Sequence, residues 1–295
     1  NAYFRYNSLN KLSFRVLDQY KKSHESLYSR TFTIDDRFQS NLFSSLATFD
    51  PTEKFRLRLD YSNFYLNYDD SDNSRADRMD NSISAYGFFK WRPKTSFLLN
   101  YEFADISYDD NELDSQENRI FAGVRWDVTY KTTGQLKFGW GKKSYDRSEL
   151  ADLDTWMAEI QVNHSFTPRT SVALNAYRRY DEAQGELVDD KASQETVSKS
   201  ILTHFIGMAF NYDYTPKLHA SLDVNYFYDE FENENRRAGV EEREDTEITV
   251  SPGIKYDFKK WLAFDVAYTF TSRDSNISQF DYDDHAVFVR ASLYR

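Results

Sequence analysis

Charged and amide side chains stand at every second position in several long stretches of this chain. Arg56, Arg58 and Asp60 show the spacing, and Asp223 with Asn225 repeats it. Residues two apart point to the same side of a β-strand, so each row would line one face of a sheet. A pore that selects one ion sign needs rings of like charge, whereas acidic and basic residues here occur in similar numbers. The rows therefore predict a hydrated lining suited to a neutral or weakly charged polymer, or charges that neutralise one another across neighbouring strands.

These rows extend along nearly the whole chain, and their members share a position opposite the apolar residues of the same stretch. The residues predicted to line a lumen and serve transport are Arg15, Arg56, Arg58, Asp60, Glu102, Arg125, Asp127, Glu159, Arg179, Asp223, Asn225, Lys255, Asp257, Asp265, Arg273 and Arg290. Tyrosine and asparagine side chains on the same faces would offer stacking and hydrogen bonds to sugars.

Other reactive side chains lack the spacing that catalysis or metal binding requires. The five histidines include no i, i+4 pair of the kind that binds zinc. His204 and His219 flank one short turn, but two ligands do not make a site. Ser200, His204 and Asp223 would form a hydrolytic triad only if the fold brought them together. The chain has no cysteine, which excludes disulfides and thiolate ligands. We therefore predict no catalytic residue, no metal and no cofactor, and a protein that is not an enzyme.

Acidic residues are concentrated in segments that have no apolar pattern. The chain has 295 residues and a formal net charge of -11, which argues against nucleic-acid binding. The runs 69–72, 109–112 and 241–245 are typical of solvated loops. Alternatively, they bind divalent cations that bridge lipopolysaccharide phosphates. The mean hydropathy of -0.75 excludes a helical membrane protein but not a barrel, whose loops and lumen are polar.

Long alternating stretches lie between the acidic segments. In 217–231, Leu218, Leu222 and Val224 point to one side and Asp223 to the other. This alternation continues further than in ordinary globular strands and matches the roughly ten residues with which a tilted strand crosses a bilayer. The fourteen predicted strands are 11–22, 31–49, 54–69, 81–92, 95–109, 117–128, 133–146, 154–166, 169–182, 199–213, 217–231, 245–258, 261–273 and 283–295.

The connections between the predicted strands alternate between short turns and long polar loops. Short turns such as 50–54, 92–95 and 215–217 recur about every forty residues. This anatomy predicts an all-β fold, a single transmembrane antiparallel up-and-down β-barrel over 1–295, in the bacterial outer membrane beside its lipids and lipopolysaccharide. A soluble β-sandwich is disfavoured because its strands are shorter. Residues 1–7 resemble part of another strand, so we expect sixteen or eighteen strands if upstream strands are missing.

Four segments resemble a family of bacterial outer-membrane proteins described as putative β-barrel porins and encoded with exopolysaccharide biosynthesis and export systems. They are 11–20 (KLSFRVLDQY), 55–62 (FRLRLDYS), 123–141, with GVRW and GWG, and 273–282 (RDSNISQFDY). The resemblance implies a barrel that passes polysaccharide outward and further strands upstream. It implies no catalytic residues.

Three functions are compatible with these features. The first is an outer-membrane channel that passively conducts a secreted exopolysaccharide, or another polar solute, while periplasmic export components drive it. The second is a structural sleeve around a multihaem cytochrome in a porin–cytochrome electron conduit. The third is a general diffusion porin, in which 183–198 would fold inward as a constriction loop.

Overall fold

The structure is a computed structural model that describes residues 2–8, 11–24, 37–69, 76–109, 113–129, 131–148, 150–182, 187–190, 194–233 and 242–294. These residues form strands and one 3-10 turn, Ser278–Phe280. The strands are β1 (Ala2–Ser8), β2 (Leu12–His24), β3 (Arg37–Phe49), β4 (Phe55–Tyr68), β5 (Arg78–Arg92), β6 (Thr95–Tyr108), β7 (Ser115–Thr129), β8 (Thr132–Tyr145), β9 (Leu153–Thr167), β10 (Thr170–Asp181), β11 (Leu187–Asp190), β12 (Gln194–Thr215), β13 (Leu218–Asn233), β14 (Glu244–Lys259), β15 (Leu262–Ser275) and β16 (Tyr282–Leu293). No helix of this described part is long and apolar enough to cross a membrane.

All strands belong to one antiparallel sheet in which neighbours in the chain are neighbours in space. The order runs from β1 to β10 and continues from β12 to β16, while β11 pairs only with β12. The fourteen predicted strands are confirmed to within a few residues, except at the start of 31–49, which lies outside the described residues, and at the start of β12. Residues 2–8 form a strand that pairs with the first half of β2, from Ala2 opposite Asp18 to Ser8 opposite Leu12. Within the described residues β1 and β16 have no ladder to each other.

The segment 183–198, expected to be a constriction loop, differs from that prediction where the structure describes it. Leu187–Asp190 and the first residues of β12 form a hairpin, with Leu187 opposite Val197. A strand pair satisfies its own backbone groups, so this part of the segment extends the sheet.

Pro252 lies inside β14. The register between β14 and β15 is the same before and after it, with Val250 opposite Phe270 and Gly253 opposite Ala267. Pairing lapses at Ser251 and Pro252 without an inserted residue. Because proline lacks the N–H, the ladder loses a hydrogen bond there but keeps its register.

One face of the sheet, called here the apolar face, presents large hydrophobic side chains outward. Phe138 is 60% exposed and Ile254 59%, and neither meets a second layer of protein. Trp91 and Trp261 lie beside short turns, and Trp140 lies opposite Trp156 towards the other end of the strands. Aliphatic residues between two levels of aromatic residues are the pattern by which barrels match the hydrocarbon core and its interfaces.

The opposite face, called here the polar face, buries many of its side chains although no second layer of the described residues covers it. Asn100 is fully buried, and Lys137 is 4% exposed. Tyr108 of β6 donates a hydrogen bond to Glu182, just after β10, with the Oη–Oε2 distance 2.7 Å. The strands β7, β8 and β9 lie between β6 and β10 in the sheet. Side chains from β6 and from the end of β10 can meet only if the sheet curves around the face that carries them. The polar face is therefore the inner surface of the curved sheet.

Two glycines of β8 make room for bulky residues on the polar face. A Cβ on Gly139 would lie 1.9 Å from the Ile120 carbonyl oxygen and 2.8 Å from the Phe121 ring. A Cβ on Gly141 would lie 2.3 Å from the Met157 methyl group. Phe121 and Met157 are both almost fully buried. Glycine at these positions lets the neighbouring strands carry large side chains on a face that curves inward.

We expect Gly139→Ala to lower the free energy of unfolding by roughly 1–3 kcal/mol, because the added methyl group forces backbone and ring apart. Gly87→Ala is the matched control, since a Cβ there meets no atom within 4 Å. Urea unfolding in detergent micelles, followed by tryptophan fluorescence, measures both. Equal effects of the two substitutions would contradict the packing role of Gly139.

Candidate functional site

The register places the predicted lining residues on the polar face, apart from Asp127, whose side chain lies outside the part that the structure describes. They come from ten strands and are distributed as follows: Arg15 on β2, Arg56, Arg58 and Asp60 on β4, Glu102 on β6, Arg125 on β7, Glu159 on β9, Arg179 on β10, Asp223 and Asn225 on β13, Lys255 and Asp257 on β14, Asp265 and Arg273 on β15, and Arg290 on β16. That they serve transport stays a prediction.

Several of these charges are neutralised within their own strand. Arg58 donates to Asp60 two positions on, with an Nε–Oδ1 distance of 2.7 Å. Arg179 and Asp181 repeat the arrangement at 2.9 Å. Lys255 lies 3.3 Å from Asp257. Residues i and i+2 share a face of a strand, so such a pair needs no neighbour to form.

Other pairs cross between strands, as the sequence suggested. Lys137 of β8 lies 2.6 Å from Glu159 of β9 and 3.6 Å from Glu102 of β6. Asp265 accepts from Arg290 at 3.4 Å. The middle of the polar face is therefore charged but close to neutral, which removes the large fields that a single-sign ring would create.

Small hydroxyl side chains lie between these charged pairs. Ser62 and Ser82 are hydrogen-bonded across β4 and β5 at 2.7 Å. On the same face but towards the C-terminal strands, Ser251 and Thr269 are hydrogen-bonded at 2.9 Å across β14 and β15. We name these residues the hydroxyl band. It offers hydrogen bonds to a polar solute without bulky side chains that would fill the interior.

The end of the sheet away from the short turns, called here the loop end, holds a buried charge network. Lys143 is 1% exposed and donates to Glu182, and its Nζ lies 3.8 Å from a Glu117 oxygen. Tyr108 donates to the other oxygen of Glu182. Alternation in 133–146 marks Lys143 as inward-facing, but Glu182 follows a strand and has no partner close in sequence. Its part in the network was not predictable from spacing.

A second buried charge network lies at the loop end of β13 to β15. Arg243 is fully buried between the rings of Phe231 and Phe280, whose centres are 4.3 and 3.5 Å from its guanidinium carbon. Its Nη2 donates to Asp245 at 2.5 Å. Arg273, predicted as a lining residue, is also buried and donates to Glu247 at 3.0 Å.

The expectation of a polar lining throughout the lumen is wrong at the loop end. Phe38, Leu66 and Tyr68 are buried on the polar face of β3 and β4, together with Ala76. A larger buried cluster includes Ile106 and Met157. Strands that continue beyond the bilayer need apolar packing of their own, and the curved inner face is where it forms.

The weak triad suggested by the sequence does not assemble. His204 lies opposite Tyr228, on the apolar-face side of β12, and its Nε2 is 3.0 Å from Glu230. Asp223 points to the polar face, so the sheet separates the two side chains. Ser200 instead donates to the backbone oxygen of Asp181. His219 is also apart from His204, and among the described residues no group of three or more His, Asp or Glu side chains could hold a metal ion.

Residues 9–295 match the model of a family described as "Putative beta-barrel porin 2". The chain belongs to this porin family. The match covers nearly all of the fifteen-strand path, and porins of this kind lie in the bacterial outer membrane. By the rule for such porins, the short turns face the periplasm and the longer loops face outward.

Solved structures support the fold of this porin. The iron transporter FrpB from Neisseria meningitidis (F5-1 variant, apoprotein form) superposes with a TM-score of 0.55 at 9% identity, over 92% of this chain and 50% of that chain. The alcaligin outer-membrane receptor FauA from Bordetella pertussis superposes with a TM-score of 0.51 at 9% identity, over 93% and 52%. The chain thus spans about half the length of these structures. At this identity the likeness shows the fold alone, a transmembrane antiparallel β-barrel. No curated protein matched the chain.

We expect Lys143→Met to cost roughly 3–5 kcal/mol of unfolding free energy, because it leaves two buried carboxylates without their shared cation. The neighbouring Lys142 points to the other side, where its ammonium is 2.8 Å from Asp152 and its side chain is 55% exposed. Lys142→Met should cost less than about 1 kcal/mol. Urea unfolding of the two variants compares them directly, and a cost for Lys143→Met no larger than for Lys142→Met would argue against the network.

His219 provides a pH-dependent contact at the periplasmic rim, beside the short turn 216–217. Its Nδ1 and Nε2 donate to Asp213 at 2.5 Å and to Asp257 at 3.1 Å. The hydrogen bond to Asp213 raises the pKa of His219 above its usual value of 6.5. A raised pKa means that this stabilisation is complete below about pH 6.5 and is lost as the pH rises through the folded-state pKa.

We therefore expect the His219 imidazole to titrate above pH 6.5 in a proton NMR titration of the folded protein in micelles. Asp213→Asn should lower that pKa, because the charged acceptor is lost. Asp181→Asn, which changes the same charge at the loop end, should leave it unchanged. A His219 pKa that does not respond to Asp213→Asn would refute the assignment.

Proposed function

We propose that the protein is an outer-membrane channel that passively conducts a secreted exopolysaccharide, or another polar solute, across the outer membrane. The observation that carries the proposal is the hydroxyl band, together with the charge pairs around it. It gives the middle of the inner face hydrogen-bonding groups and paired charges of both signs. A hydrated polymer can slide along such a surface by exchanging one weak hydrogen bond for another.

The number of strands supports an interior with room for a solute. Barrels of eight strands fill their interior with side chains, whereas those of sixteen or more leave an aqueous channel. The path of this sheet contains fifteen strands. In this proposal, periplasmic export components supply the driving force, and the barrel is a passive path.

Single-channel conductance in a planar bilayer, with a visible absorbance spectrum of the same sample, tests the proposal. Steady conductance without haem absorbance, and its reversible block by an added polysaccharide, is the expected result. A sealed barrel, with no conductance in any variant, would refute it. A Soret band from a co-purified multihaem cytochrome would instead favour the sleeve function.

Substitution in the hydroxyl band should change conductance in a predictable direction. Ser251→Trp places an indole on the inner face and should lower single-channel conductance at least about twofold, because it narrows an aqueous path. Ile254→Trp adds the same side chain on the apolar face, where Ile254 is largely exposed, and should leave conductance unchanged. Equal conductance of the two variants would mean that solute does not pass the hydroxyl band.

A further inference from the structure

A cavity of about 690 Å³ opens at the periplasmic end of the sheet. Its rim is formed by the short turns at 50–54 and 93–94, and its walls by the adjoining ends of β4 to β7. The cavity lies below the hydroxyl band, on the same inner surface. A solute that enters from the periplasm would therefore meet it first.

The cavity has a surplus of positive charge, although the whole chain has a formal net charge of -11. Six basic and two acidic residues line it: Lys11, Lys54, Arg56, Lys90, Lys94 and Arg125, with Asp50 and Glu53. Arg56 is engaged by Asp50 through two hydrogen bonds of 2.6 and 3.0 Å. In the part of the chain that the structure describes, Lys54, Lys90 and Arg125 form no ion pair.

An aromatic ring lies towards the inner end of the same cavity. Phe88 lines it and is stacked on Tyr86, with ring centres 5.9 Å apart and planes 9° from parallel. A ring face fixed in this way suits the apolar C–H face of a pyranose. The cavity thus combines cations, which bind carboxylates, with a platform for a sugar ring.

We propose that this cavity is a binding site for the carboxylate-bearing sugar units of an anionic saccharide. The inference rests on the proposed function, because it names the substrate class for the entrance of that channel. Lys54, Lys90 and Arg125 hold the carboxylates, and Phe88 stacks on a sugar ring between them. Beyond the cavity, Arg58 is already neutralised by Asp60, so a bound anion is not held tightly along the whole path.

The shape of the site favours a saccharide over an acidic protein or a lipid. A volume of this size is within the range of pockets for small ligands, whereas a stable protein partner needs a broad surface of about 1,000 Å² or more. A lipid phosphate would approach from the apolar face, while Phe88, Lys90 and Arg125 belong to the polar face.

The test measures binding by calorimetry to the full chain in detergent micelles, which does not depend on conduction. The probes are trigalacturonate, neutral maltotriose and hexaglutamate. The test variant is Lys54→Gln/Lys90→Gln/Arg125→Gln. The matched control is Arg169→Gln/Lys217→Gln/Lys260→Gln, which removes the same charge from periplasmic turns outside the cavity. Near-UV circular dichroism checks that each variant folds. If the triple test variant does not fold, the single variants Lys90→Gln and Arg125→Gln are measured in its place.

We expect trigalacturonate to bind the unchanged protein more tightly than maltotriose does. Added salt should weaken the binding of trigalacturonate. The test variant should raise its Kd at least about tenfold, since three charge-assisted contacts are lost, and the control variant should not. Phe88→Leu should weaken trigalacturonate binding but not the binding of hexaglutamate. Equal binding of maltotriose, equal loss in both triple variants, or tighter binding of hexaglutamate would overturn the proposal.

Conductance separates this inference from the proposed function. If the barrel binds trigalacturonate but does not conduct, the binding site is supported and the channel function is refuted. If the barrel conducts steadily but does not bind trigalacturonate selectively, the channel function is supported and the binding site is refuted.

Discussion

Backbone hydrogen bonding in a medium without water is the constraint on which this structure depends. Each N–H and C=O within the hydrocarbon layer needs a partner, and long antiparallel strands supply one from the next strand in the chain. Strands of twelve to sixteen residues, such as β4 (Phe55–Tyr68) and β14 (Glu244–Lys259), run from one aromatic level to the other. The strands in turn determine the alternation of apolar and polar side chains, because successive residues of a strand face the lipid and the interior in turn.

A sheet of one layer must also provide its own interior packing. Gly139 and Gly141 leave space that Phe121 and Met157 fill, so small and large residues on adjacent strands act as one unit. Towards the loop end this packing becomes dense and includes the buried cation of Lys143. In the middle, Ser62 and the other residues of the hydroxyl band have short side chains that project little into the interior. The same curved face therefore combines a packed end with a path of small polar groups.

The strand positions and the two faces were predictable because both depend on a period of two residues, which a sequence displays directly. Lys137 and Asp265 could be assigned to the inner face in this way. The partners of Glu182 could not, because they come from strands far away in sequence and meet only through curvature. Alternation also does not tell where the inner face changes from polar to apolar, as it does at Leu66, since that depends on the level at which a strand leaves the membrane.

The ion pairs between residues two apart in a strand bear on how the chain enters the membrane. Arg58 with Asp60, Arg179 with Asp181 and Lys255 with Asp257 can each form on a single extended segment. An isolated charge is costly to bring into a bilayer, but a charge that travels with its counterion is less so. A strand with such a pair carries its own counterion and does not depend on a neighbouring strand to neutralise that charge. Part of the neutrality of the finished interior is thus encoded within single strands, and the sheet adds the rest.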